Sequence, residues 1–172
     1  MFHVKQLVAK ALNSAALRYG CNVDALDIER CAKLSLWLAP SAARLGLTGF
    51  ASPLEYVENL IAPGFRLIKH INSEEGQMVE VSPGSGGLGL SLAIFIPSWR
   101  VTLLDRRRRV CDFLTLAIRR FQIDNCSVYC RDIRNLSDMG IQYDLAMARA
   151  VAASDVLLRH MTPLVRYGGQ LA

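Results

Sequence analysis

Glu80-Val81-Ser82-Pro83-Gly84-Ser85-Gly86-Gly87-Leu88-Gly89 is the stretch on which the fold turns. Before it, Met78 to Val81 is a short β-prone run; after it, the apolar segment Leu90 to Phe95 predicts a helix. A strand, a glycine-rich turn and a helix make a nucleoside-binding unit. Glycines let backbone approach the ligand, and the helix N-terminus favours negative charge. The next β-prone run, Arg100 to Leu104, ends on Asp105, which is 19 residues beyond Gly86 (105 − 86). That is close to the ~20 at which a carboxylate meets ribose hydroxyls. Spacing of this kind serves a dinucleotide and S-adenosylmethionine equally well.

The same alternation continues outward. Arg106 to Phe121 predicts a helix with Val110, Phe113, Leu114, Ala117 and Phe121 on one face, Cys126 to Cys130 a strand, Asp144 to Met147 another, and Ser154 to Leu164 a helix. Gly169 to Ala172 begins a fifth strand, after a turn at Tyr167 to Gly169. Upstream, residues 4 to 19 predict a helix stopped by Gly20, and a second starts at Asp24 or Asp27 and is kinked or ended by Pro40. A third opens where Ser52 caps and Pro53 takes the first helical position. Residues 1–72 thus read as a helical cap and 73–172 as an α/β core with a doubly wound, mostly parallel sheet.

Composition narrows the function. The 172 residues are 52% hydrophobic, which excludes a disordered or fibrous chain. No apolar run reaches the ~18 residues of a membrane span, and Met1 to Lys5 does not open like a signal peptide, so the expectation is a cytoplasmic protein without a membrane partner. The five cysteines, Cys21, Cys31, Cys111, Cys126 and Cys130, contain no CxxC pair and read as free thiols packed in the core. His3, His70 and His160 lack metal-ligand spacing, so no metal is expected. Between Trp99 and Arg134 there are nine Arg and four Asp, 9 − 4 = +5, which equals the net charge of the whole chain, +5. A positive field so concentrated attracts a phosphate backbone.

Residues 80 to 94, with Val101-Thr102-Leu103-Leu104-Asp105, the basic start of the next helix, Phe113-Leu114, Asp124-Asn125, Tyr143-Asp144 and Ala148-Arg149-Ala150-Val151-Ala152, resemble the RsmG (GidB) family. Pro163-Leu164 and Gly168-Gly169 stand where that family has its proline-leucine and double glycine, and Leu47-Thr48 with Ser52-Pro53-Leu54-Glu55 resembles its segment before the sheet. The family methylates N7 of a guanine in 16S, small-subunit ribosomal RNA. The resemblance implies a class I (Rossmann-like) methyltransferase fold, S-adenosyl-L-methionine as cofactor, and ribosomal RNA or the small ribosomal subunit as partner. It implies cofactor contacts from Glu80, Ser82, Gly84, Gly86, Gly89, Asp105, Asp132 and Ile133, and substrate positioning by Arg149. Arg106, Arg107, Arg108 and Arg109 become the RNA-binding segment. Attack of guanine N7 on a sulfonium methyl needs no acid-base pair, because proximity and electrostatics drive it.

There are departures. Ser82-Pro83 replaces the family's leading glycine and its neighbour, so a serine meets any positive-φ requirement and a proline contributes no N–H. The family's histidine and aspartate-serine pair align with Asn59 and Ala62-Pro63. The sequence stops at Ala172, before the family's last two strands, leaving an edge expected to pair with a second copy near Leu171. These departures keep open a competing reading, a non-catalytic descendant serving as a binding or dimerisation module. A nicotinamide-dependent oxidoreductase finds no hydride-transfer residues downstream.

Overall fold

The computed structural model describes residues 2–71, 73–135, 142–149 and 154–172; Asn72 and the resemblance at residues 150–152 lie outside the described residues. Strands β1 (Gly76–Val81), β2 (Trp99–Asp105), β3 (Cys126–Cys130), β4 (Tyr143–Ala148) and β5 (Val165–Leu171) form one sheet in the order β3-β2-β1-β4-β5. Every neighbouring pair is parallel. The order reverses around β1, so the carboxyl ends of β1, β2 and β4 open the crevice in which such sheets bind ligands.

Alternation along the strands sends side chains to two cores. Met78, Val101, Leu103, Leu145 and Met147 face α5 (Gly87–Phe95) and α6 (Arg108–Phe121), while Val79, Val81, Leu104 and Ala146 pack with Met161 and Leu164 on the other face. Met161 closes α7 (Ser154–Met161). Helix α5 is apolar on all sides, and Gly87 to Ile94 are all buried. That composition suits a helix pressed between the sheet and a further layer.

The further layer is the N-terminal segment: α1 (Phe2–Arg18), α2 (Ala25–Arg44), α3 (Pro53–Tyr56), a π-helical turn at Val57–Ile61, and α4 (Ala62–His70). Val8, Leu12, Leu34, Leu38 and Phe65 belong to the same core as the sheet's first face. Trp37 of α2 stacks on Phe113 of α6 with centroids 5.2 Å apart and planes 8° from parallel, and the Arg120 guanidinium lies 5.7 Å from the indole. The hydrophobic core therefore runs across residue 72.

The structure decides between some of the expected boundaries and moves others. Asp24, not Asp27, caps α2, its carboxylate accepting from the Leu26 N–H at 2.6 Å. Pro40 does not end the helix, which continues to Arg44 because Leu38, Ala39 and Ala42 around it are fully buried. Ser52 occupies the N-cap position without a side-chain capping bond. Helix α5 starts at Gly87 rather than Leu90, since Gly86 with φ 75° serves as its N-cap. Helix α6 starts at Arg108, and α7 ends at Met161 in a 3-10 turn over Thr162–Leu164. Strand β5 begins at Val165, not Gly169: the expected turn is a shift in register between Tyr143 and Leu145 of β4, with Gly168 at φ 80°. A positive-φ glycine accommodates the extra residue of such an irregularity.

Candidate functional site

A cavity of about 490 Å³ opens at the carboxyl ends of β1 and β2, a volume ordinary for a small-molecule site. Its wall includes Glu80, Ser82, Gly84, Asp105 and Arg149, with Leu47, Thr48 and Leu60 supplied by the N-terminal layer. The loop between β1 and α5 folds through three left-handed residues, Ser82 (φ 56°), Gly84 (φ 57°) and Gly86 (φ 75°). The Ser82 N–H donates to the Leu104 carbonyl at 2.8 Å, and the Gly86 N–H to the Pro83 carbonyl at 2.9 Å. An added Cβ on Gly84 would meet only the Leu47 carbonyl oxygen, at 3.5 Å, so ligand can lie against this backbone.

Ser82 does adopt the conformation that its replacement of glycine makes expensive. A left-handed non-glycine residue costs about 1–2 kcal/mol. We expect Ser82→Gly to raise unfolding free energy by about 1 kcal/mol in a urea titration; an unchanged or lower midpoint would refute the strain.

Gly86 and Gly89 lie outside the cavity lining. A Cβ on Gly86 would sit 2.4 Å from Leu114 Cδ2, and one on Gly89 2.4 Å from Leu103 Cδ2 and 2.5 Å from Glu80 Oε2. Both glycines let α5 approach its neighbours closely, and the Gly89 N–H donates to Glu80 at 2.8 Å. Glu80 is buried, and that burial lifts its pKa from 4.5 to about 7, against the opposing pull of the Gly89 N–H and the Arg149 charge. Between these values the folded protein holds a proton that the unfolded chain releases. Stability is thus fully present below about pH 4.5 and declines as pH rises through about 7. Glu80→Gln, which retains an oxygen for Gly89, should flatten this decline in pH-dependent thermal melts; an equal slope in both proteins would refute it.

Asp105, at the end of β2, is 3% exposed. Its Oδ1 accepts from the Arg107 backbone N–H at 2.9 Å and from Nε at 3.0 Å, and its Oδ2 from Nη2 at 2.8 Å. A carboxylate offers roughly four acceptor positions, so a first ribose hydroxyl can be received with Arg107 in place and a second requires Arg107 to yield. Of the other expected RNA-binding residues, Arg106 lines the cavity, Arg108 is paired with Asp112 at 2.9 Å, and Arg109 is exposed. Asp132 and Ile133 lie outside the cavity lining: Asp132 is forked by Arg134, which holds its carboxyl well below the usual range, and Ile133 packs against the core beyond the sheet.

Arg149 follows β4 and donates from Nη1 to the Asn59 carbonyl at 2.8 Å. Its Nη2 also reaches the Leu60 carbonyl, at 3.5 Å, so the arginine ties the end of β4 to the π-helical turn. Sequence reasoning missed Tyr56. Its fully buried hydroxyl donates to Ser85 Oγ at 2.9 Å, tying the N-terminal layer to the glycine loop. A buried tyrosine needs a partner, but nothing local in the sequence says which. Among the described residues no cluster of metal-ligating side chains occurs, and no helix is long and apolar enough to cross a membrane.

Comparison with known proteins gives this geometry its relatives. Residues 28–172 match the family model described as rRNA small subunit methyltransferase G (GidB). The Ribosomal RNA small subunit methyltransferase G of Thermotoga neapolitana is 33% identical over 161 residues, covering 93% of this chain and 69% of that protein. Its namesake in Trichodesmium erythraeum is 30% identical over 135 residues, covering 73% and 53%. That of Thermotoga sp. strain RQ2 is 37% identical over 98 residues, covering 56% and 43%, so the chain spans about half the length of several curated relatives. Among solved structures, coclaurine N-methyltransferase bound to N-methylheliamine and SAH superposes with a TM-score of 0.61 at 18% identity, covering 98% of this chain and 56% of that one. The glycopeptide N-methyltransferase MtfA does so with 0.55 at 13%, covering 72% and 60%. These last two speak to the fold alone, and no relative named here carries the name of a non-catalytic binding module. With its parallel five-stranded sheet and a family match over most of its length, the chain belongs to the rRNA small subunit methyltransferase G family and has the fold of the class I S-adenosylmethionine-dependent methyltransferases.

Proposed function

We propose that this chain binds S-adenosylmethionine in the β1–β2 cavity and transfers its methyl group to N7 of a guanine in small-subunit ribosomal RNA, work that belongs to the cytoplasm. The observation that carries the reading is the left-handed loop Ser82 to Gly86, open to the cavity at Gly84 and facing Asp105. When bound, the cofactor supplies an electrophilic methyl on a sulfonium. The chain's part is to hold and orient. Asp105 accepts from the ribose, Gly84 admits the ligand against backbone, and Tyr56 through Ser85 keeps the loop in its bound shape. Arg149, anchored on the π-helical turn, stands at the cavity wall as a cation able to orient an incoming base or phosphate. Arg106 and Arg109 offer exposed positive charge to the RNA backbone beside the cavity.

Calorimetric titration with S-adenosylhomocysteine, S-adenosylmethionine and NAD tests the reading. Saturable binding of the first two without NAD is expected; no binding at millimolar ligand would remove the methyltransferase reading's support. We further propose self-association along β5, an edge strand on which Tyr167 is fully exposed and Leu171 is 41% exposed. Light scattering should show mass rising with concentration. A monomer at every concentration, with fast amide exchange at residues 169–172, would exclude it.

A further inference from the structure

Two cysteines that look unrelated in sequence meet beside Asp105. Cys111 is the fourth residue of α6, and its buried thiol donates to the Asp105 carbonyl at 3.2 Å. Cys130 ends β3 directly opposite Asp105 in the parallel register. Strand alternation puts Cys130 on the same face as Cys126 and Val128, the face that packs in the core with α6. Both thiols are therefore held beside the same backbone unit, one bonded to the Asp105 carbonyl and buried under α6, the other on the paired strand residue and exposed. Of the other cysteines, Cys21 donates to the Phe65 carbonyl, and Cys31 and Cys126 are buried.

We propose that Cys111 and Cys130 are a site of reversible oxidation, closed to an intramolecular disulfide by a low-molecular-weight disulfide, and that the bond is felt at Asp105. The exposed Cys130 thiolate attacks one sulfur of the oxidant RSSR, forming a mixed disulfide and releasing RS⁻. Cys111 then attacks the Cys130 sulfur and expels the second thiol, so the protein dithiol and RSSR become protein disulfide and two RSH. Burial, the largest cause, pushes the Cys111 thiol up to about 12, which suits it to the resolving rather than the attacking role. Oxidation removes the S–H that holds the Asp105 carbonyl and straps the start of α6 to the end of β3. Both changes act on the residue whose carboxylate faces the cavity. The disulfide itself is independent of what the cavity binds; its effect on ligand affinity rests on the cofactor reading above.

The test uses the whole chain incubated with oxidised glutathione, followed by alkylation and peptide mass spectrometry. A cross-linked pair of peptides containing Cys111 and Cys130, reversed by dithiothreitol, is expected, with the other three cysteines alkylated. Affinity for S-adenosylhomocysteine should fall about two- to fivefold on oxidation, the size of one weak hydrogen bond. Cys130→Ser, treated identically, should show no fall. Glutathione adducts without the cross-link would overturn the proposal, and a cross-link with unchanged affinity would overturn its coupling to Asp105. If the reduced protein binds no S-adenosylhomocysteine, the cofactor reading and the coupling fall together, while the cross-link, judged by mass alone, still decides the redox site.

Discussion

Gly86→Ala is expected to destabilise the protein by about 3 kcal/mol, through a left-handed conformation forced on a Cβ and overpacking against its surroundings. The added carbon would lie 2.4 Å from Leu114 Cδ2 and 2.9 Å from Leu90 Cδ1, and both leucines are fully buried. Neither can withdraw without loosening the buried cluster to which both belong. Gly84 supplies the comparison, because it has a similar φ of 57° but open space beyond it. Gly84→Ala should therefore cost only the backbone part, about 1–2 kcal/mol, while obstructing the cavity. Urea unfolding of the two variants separates the effects. Equal losses would show that Leu114 and Leu90 repack freely, and a loss at Gly84 larger than at Gly86 would reverse the assignment of packing and ligand roles.

Asp105→Ala is expected to weaken S-adenosylhomocysteine binding about ten- to a hundredfold, the range for losing a hydrogen bond to a charged group. Its effect on folding should be smaller than that of Gly86→Ala, because Arg107 is 56% exposed and stays hydrated when its partner is lost. Titration calorimetry beside thermal melting reads both quantities. Unchanged affinity would mean that the carboxylate serves Arg107 alone, as a surface-facing ion pair at the end of a strand. Arg107→Ala sharpens the result, since it frees the acceptor positions that Arg107 occupies on Oδ1 and Oδ2. Tighter binding in that variant is the expected consequence.

The alternation of apolar strand and amphipathic helix, the glycine turn and the acid 19 residues beyond Gly86 (105 − 86) were sufficient to place a parallel sheet and a nucleoside crevice. Those features are local, and local sequence carries them because hydrophobic period and turn chemistry act over a few residues. The strained Ser82 was legible for the same reason: a serine standing where the loop needs positive φ declares itself in one dimension. The separate roles of Gly84, Gly86 and Gly89 were not legible, since Gly84 faces a cavity while Gly86 and Gly89 face leucines brought in from α6 and β2. Tyr56 on Ser85, Arg149 on the Asn59 carbonyl, and Cys111 and Cys130 on either side of Asp105 are likewise contacts between distant segments. Only the packed fold decides such pairs, because hydrogen-bond partners and close approach are properties of distance in space, and the chain's own order says nothing about which buried group will find which.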